Sequence, residues 1–199
     1  MNNRKDYYKV GDNAVAVNYK VASSSLAVAC LKAESPEKYA VLNNPNHGDG
    51  DGTAFPEGVS FDDIIPHSFT KRIKVKDAQA IYLVVREPIE KFRSACLMSK
   101  ITPSKALDKL IAEDLRDPHF QVQSRFVKTR KPVYLYKLED VEQMAQDLGL
   151  ETPLPTRNEG SEEEKPELTT EELRRMNKYY RDDVDLYNSI TEAGMLYEF

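Results

Sequence analysis

No run of apolar residues approaches the roughly 20 needed to cross a bilayer, and the opening stretch MNNRKDYYKV lacks the apolar centre of a signal peptide. A cytoplasmic protein with no membrane contact is the expectation. Cysteine is scarce. Cys30 and Cys96 each fall within an apolar helical pattern, nothing in the sequence demands that they pair, and both read as free, buried thiols. No grouping of His, Cys and carboxylates has metal-site spacing, so no metal is expected. The acidic positions around Asp49 and Asp51 do not make a calcium loop, because Thr53 and Ala54 stand where Asp or Asn and then Gly are required. An excess of positive charge is missing too: the net charge of −5 argues against a general nucleic-acid binder.

What remains is ordinary globular material. With 199 residues, 40% of them apolar and 31% charged, the chain suits one domain over 1–199 with a substantial core. Two segments, 43–58 and 151–168, are rich in Asn, Gly, Asp, Glu or Pro and read as long loops. Ala14 to Asn18 is a short β-like run, and Ser24 to Ala33 reads as a helix with Leu26, Ala27, Cys30 and Leu31 inward. Pro36 ends that helical region. Thr102-Pro103 opens a helix with Leu107, Leu110, Ile111 and Leu115 in one stripe. Val133 to Tyr136 is a strand, and the segment from about Glu139 to Leu148 is a helix stopped by Gly149. Thr169 to Glu172 is a capping box launching a final helix with Leu173, Met176 and Tyr180 inward.

The most informative stretch is Ala80 to Cys96, AIYLVVREPIEKFRSAC. Its β-branched apolar run has the length of a strand buried on both faces and stops at Arg86-Glu87-Pro88. Pro88 suits the first position of a helix, where Ile89, Phe92 and Cys96 form a buried stripe. Arg86 then stands at the carboxyl end of a parallel strand, with Lys91 and Ser94 on a helix side that the stripe does not use. Open α/β sheets bind ligands outside those strand ends, so a guanidinium, an ammonium and a hydroxyl there read as a phosphate site. A strand-end Arg that simply pairs with a neighbouring carboxylate is the competing reading.

A second strand, loop and helix start lies at Lys20-Val21-Ala22-Ser23-Ser24-Ser25. Backbone N–H groups at a helix start attract an anion, and hydroxyls and a Lys add donors. It is not a Walker A loop: Lys20 comes first and the loop holds no glycine. A serine acting only as helix cap would account for Ser23 or Ser24 but not for the Lys. His67 follows a short apolar segment and precedes the basic positions Lys71, Arg72, Lys74 and Lys76, while His47 and His119 read as exposed residues rather than ligands.

Taken together, Lys20 to Leu26, His67-Ser68-Phe69 and Arg86 to Ser94 resemble the sulfotransferases that use 3′-phosphoadenosine 5′-phosphosulfate, in particular the carbohydrate and uronyl 2-O branch. That family has a K-[TV]-[AG]-[ST]-[ST]-S loop and an R-D-P-x-x-R-x-x-S motif. Here Glu87 replaces the Asp, Lys91 the second Arg, and the His67 segment is one residue shorter than the family's H-x-S-F. Weaker likeness continues through Gln121 to Phe126, Val133 to Asp140 and Tyr179 to Asp183, which looks like a closing Y-x-x-D helix.

The resemblance implies an α/β fold, a single P-loop-like domain with a central, mainly parallel sheet flanked by helices. It implies that Lys20, Val21, Ala22, Ser23, Ser24 and Ser25 hold the 5′-phosphosulfate, that Arg86 and Ser94 bind the 3′-phosphate, and that Lys20 and His67 are catalytic, His67 as the base. The donor needs no metal. The acceptor is a saccharide or a small hydroxylated metabolite, for which Lys71, Arg72, Lys74 and Lys76 with Arg125, Lys128, Arg130 and Lys131 offer two basic clusters. A small-molecule kinase on a P-loop-like fold and a non-catalytic nucleotide-binding protein are the alternatives.

Overall fold

The structure, a computed structural model, describes residues 6–19, 21–42, 70–154 and 165–197. Lys20 and His67 lie outside these residues, as do all of 43–58 and 155–164. The described chain is mixed α/β. Five strands, β1 (Tyr7–Val10), β2 (Asn13–Ala16), β3 (Ile81–Val85), β4 (Val133–Lys137) and β5 (Met195–Tyr197), form one sheet in sequence order. The three central strands are parallel and both edges are antiparallel. Seven α-helices are described: α1 (Ser23–Glu34), α2 (Pro36–Leu42), α3 (Pro88–Met98), α4 (Pro103–Ile111), α5 (Val141–Asp147), α6 (Thr170–Tyr179) and α7 (Arg181–Ser189).

The two-residue period of the strands divides the core between the sheet faces. Val15 of β2, Val84 of β3 and Tyr136 of β4 pack with Leu26, Ala27 and Cys30 of α1 and with Met144 and Ala145 of α5. Their neighbours Ala14, Ala16, Ile81, Leu83, Val85 and Leu135 point the other way, against Phe126, Leu186 and Ile190. Phe92, Cys96, Leu107, Leu110, Phe120, Met176 and Tyr180 join α3, α4 and α6 in a third cluster. Both cysteines are free and buried, and burial pushes the Cys96 thiol up to about 12. No helix among the described residues is long and apolar enough to cross a membrane.

Several expectations change in detail. Pro36 does not merely end a helix: α1 stops at Glu34, and Pro36 opens α2. α4 ends at Ile111, so its stripe does not run on to Leu115, and the Ile111 side chain stands 56% exposed. The capping box at Thr169 and Glu172 is present with both bonds, yet the helix it launches breaks at Tyr180 and restarts as α7. The basic segment at Lys71 and Arg72 lies along the β1 edge: Lys9 N–H donates to the Lys71 carbonyl at 2.8 Å, and Arg72 sits over the Tyr8 ring and 3.9 Å from Asp6.

Candidate functional site

β2, β3 and β4 are parallel, so their carboxyl ends share one edge of the sheet, and both motif loops leave from it. At the first, β2 ends at Ala16 and α1 begins at Ser23. The N-cap is Ala22, and no side chain caps the helix. None of the serines therefore serves as the helix cap. Ala22 takes the left-handed conformation with φ 46° and ψ 20°, which costs an L-residue about 1–2 kcal/mol over ordinary backbone. The first helical bond is Leu26 N–H to the Ala22 carbonyl at 3.0 Å, so the N–H groups of Ser23, Ser24 and Ser25 precede the helical ladder. Val21, Ser23 and Ser25 are buried. A left-handed residue followed by N–H groups that come before the helical ladder is the local geometry of an anion nest.

The second loop leaves β3. Pro88 occupies the first turn of α3, and the Glu87 carboxylate caps it by accepting from Glu90 N–H at 2.7 Å. Arg86 is mostly buried, and burial lowers its pKa against the pull of Glu90 and Glu87. The carboxylate of Glu90 is 3.9 Å from Arg86 but lies closer to two other cations, 2.7 Å from Lys165 and 2.9 Å from Arg93. These two hold its pKa below the usual carboxylate value, chiefly through the Lys165 bond. Arg93 also donates to the Pro166 and Lys165 carbonyls, so this part of the motif ties the 165–166 segment onto α3. Ser94 is half-buried on the same helix.

Lys91 departs from expectation. Its ammonium is not presented on an open side of the helix; it is 2% exposed and donates to the His119 and Gln121 carbonyls at 3.0 and 2.7 Å. The stripe that α3 buries is wider than Ile89, Phe92 and Cys96, because the turn at 118–120 packs against it. Burial pushes the Lys91 ammonium down to about 8, and the nearby guanidinium groups of Arg125 and Arg86 add to that while Asp183 opposes it.

The segment 119–125 is held from below by Tyr180 and Asp183, which belong to the Y-x-x-D stretch at 179–183. Tyr180 donates through its hydroxyl to the Phe120 carbonyl at 2.7 Å. Asp183, fully buried, accepts from Gln123 N–H at 2.7 Å and Ser124 N–H at 2.8 Å, and burial raises its pKa. The Gln123 side chain then reaches both strand ends: its Oε1 accepts from Arg86 N–H at 3.0 Å and from Asn18 Nδ2 at 2.9 Å, and its Nε2 donates to the Arg86 carbonyl at 2.8 Å. Asn18 donates as well to the Val84 carbonyl at 2.9 Å. The buried amides thus lock the end of β2 to the end of β3. His119, read from sequence as exposed, is partly buried: its Nδ1 lies 2.6 Å from Asp117, and its ring meets the edge of Tyr19 at 5.2 Å.

Among the expected site residues, Val21, Ala22, Ser23, Ser24 and Ser25 stand at the end of β2, and Arg86 stands beside them at the end of β3. The second basic cluster is divided. Arg125 packs its guanidinium on the Phe126 ring, whereas Arg130 and Lys131 line a groove with Val133 and Leu196 at the amino end of β4. No group of three or more His, Cys, Asp and Glu suited to a metal occurs among the described residues. Set against known protein families, curated proteins and solved structures, the chain matches none.

Proposed function

We propose that the chain is a sulfotransferase that moves a sulfuryl group from 3′-phosphoadenosine 5′-phosphosulfate to an acceptor hydroxyl on a saccharide or small metabolite, on a P-loop-like α/β fold. One observation carries the reading: the left-handed Ala22 turn, which starts a helix whose first residues are three serines, and the backbone-clamped Arg86 emerge side by side at the carboxyl edge of the parallel strands. Two electropositive loops next to each other suit a ligand with a phosphate at each end. In this reading Ser23, Ser24, Ser25 and their amides hold the 5′-phosphosulfate, and Arg86 and Ser94 hold the 3′-phosphate. The acceptor oxygen attacks sulfur, and the bond from sulfur to the bridging phosphate oxygen breaks. Lys20 stabilises the charge that grows on that phosphate, and His67 takes the acceptor proton.

Calorimetry with 3′-phosphoadenosine 5′-phosphate and with ATP, each with and without Mg²⁺, tests the proposal. Metal-independent binding of the bisphosphate in preference to ATP is expected. Tight Mg²⁺-dependent ATP binding would overturn it in favour of a small-molecule kinase. Nucleotide binding without transfer from labelled donor to any of a broad acceptor panel would favour a non-catalytic nucleotide-binding protein.

A further inference from the structure

Among the described residues three side-chain polar atoms are buried without a hydrogen-bond partner: Tyr7 Oη, Arg125 Nε and Arg125 Nη1. Such groups are rare in folded proteins, and a guanidinium is costly to leave in this state. All three atoms belong to one place. Both side chains pack on Phe126: the Tyr7 ring meets it edge-on at 5.6 Å, and the Arg125 guanidinium carbon lies 4.5 Å from its centre. Tyr7 pairs with Ala16, the last residue of β2, so the cluster stands at the carboxyl edge of the parallel strands, where the Ala22 turn and Arg86 also lie.

The surrounding charges do not satisfy the guanidinium. Tyr7, Asp6, Asp183 and Tyr19 are the groups whose charge acts on Arg125. Asp183 spends its two oxygens on Gln123 and Ser124 N–H, and Asp6 lies 3.9 Å from Arg72. Burial pushes the Tyr7 phenol up to about 12, so it keeps its proton and remains a donor at neutral pH. Arg125 is half-buried as a whole residue, so part of the residue reaches the surface although Nε and Nη1 are covered.

From this geometry we infer that Tyr7 and Arg125 form an oxyanion-binding subsite, separate from Arg86, that takes a sulfate, phosphate or carboxylate group. A neutral hydrogen-bonding ligand would leave the guanidinium charge uncompensated, whereas an oxyanion accepts from the phenol and from Nε and Nη1 together. The oxyanion belongs either to the nucleotide donor or to the acceptor. Its placement beside the nucleotide loops rests on the proposed function; the existence of the subsite does not.

The test uses the full chain, with inorganic sulfate as probe and chloride at matched ionic strength as control. Tyr7→Phe keeps the ring on Phe126 and removes only the unpartnered hydroxyl, and Arg125→Met keeps the length of the side chain without its donors. Each variant is expected to weaken sulfate binding roughly tenfold or more, since bonds to a charged group are lost. The Tm of the sulfate-free protein should hold or rise for Tyr7→Phe, because that hydroxyl makes no bond to lose. Sulfate binding equal in wild type and both variants, or no sulfate-specific binding in wild type, overturns the subsite. So does a sulfate-free Tm that falls in Tyr7→Phe while sulfate affinity stays unchanged. A parallel titration with 3′-phosphoadenosine 5′-phosphate separates the sources: displacement of sulfate assigns the subsite to the donor, and simultaneous binding assigns it to the acceptor. If the nucleotide fails to bind while sulfate binding still depends on Tyr7 and Arg125, the subsite stands and the sulfotransferase reading falls.

Discussion

The side-chain amide of Gln123 pairs with the backbone of Arg86 as a neighbouring strand would, accepting from its N–H at 3.0 Å and donating to its carbonyl at 2.8 Å. Gln123 is itself fully buried, and its own N–H is held by Asp183. The position of Arg86 is therefore set from the far end of the chain, through Asp183 on α7.

Removing that amide should cost more than one hydrogen bond. Gln123→Ala orphans the Arg86 N–H and carbonyl and takes one of two acceptors from Asn18, and each buried group left unsatisfied costs about 1–3 kcal/mol. Urea denaturation should show a loss of at least about 2 kcal/mol, taking the lower half of that range for two groups. Nucleotide affinity should fall as well, because Arg86 is no longer fixed. A variant that loses neither stability nor affinity would mean that the clamp is incidental.

The left-handed Ala22 gives a second expectation. Glycine adopts φ 46° without strain, so Ala22→Gly should leave stability unchanged or raise it by up to about 1 kcal/mol. Val places a branched Cβ in the same conformation, so Ala22→Val should destabilise the protein and weaken nucleotide binding together. Thermal unfolding and calorimetry on the two variants check the order Gly, Ala, Val.

Lys91 should leave a signature in the pH dependence of stability. Its folded pKa is lowered from 10.5 to about 8, so below pH 8 both states carry the proton and the buried charge is a standing cost. Between about pH 8 and 10.5 the unfolded chain keeps the proton that the folded one has released, and stability from this group rises with pH by at most about 1.4 kcal/mol per unit. Other groups titrate in that window, so the quantity to measure is the difference between wild type and Lys91→Met. That difference should move in favour of wild type as pH climbs from 8 to 10.5; a flat difference would show that the buried amine does not titrate there.

What could be read from the sequence was local. The Ile81–Val85 strand, Pro88 in the first turn of α3 and the Thr169 capping box are each written within a few adjacent residues, and each stands where expected. β1 and β5 were not read. They are four and three residues long, and their partners rather than their composition make them strands. Asn18, Gln123 and Asp183 were missed as positioning residues for a related reason: Gln123 meets Asn18 across 105 residues and Asp183 across 60. Gln121 to Phe126 and Tyr179 to Asp183 did carry a weak family likeness, which pointed to these stretches without saying what they do. The apolar stripe of α3 marks only one face and leaves Lys91 off it, and helical spacing does not reveal that the 119–121 carbonyls draw the ammonium inward.

The two motif loops should divide the labour of the proposed reaction. Arg86, fixed by Gln123, would bond a phosphate remote from the reacting sulfur, and such bonds are similar in ground and transition states. Arg86→Ala should therefore raise the donor KM and leave kcat nearly unchanged. Lys20 would face the oxygen on which charge grows as the S–O bond breaks. Loss of a donor of that kind typically lowers turnover ~10²–10³-fold, so Lys20→Ala should reduce kcat more than it raises the donor KM. Steady-state kinetics at saturating acceptor separate the two effects. If Arg86→Ala abolishes turnover at saturating donor while Lys20→Ala changes KM alone, the reacting and anchoring ends of the nucleotide are reversed.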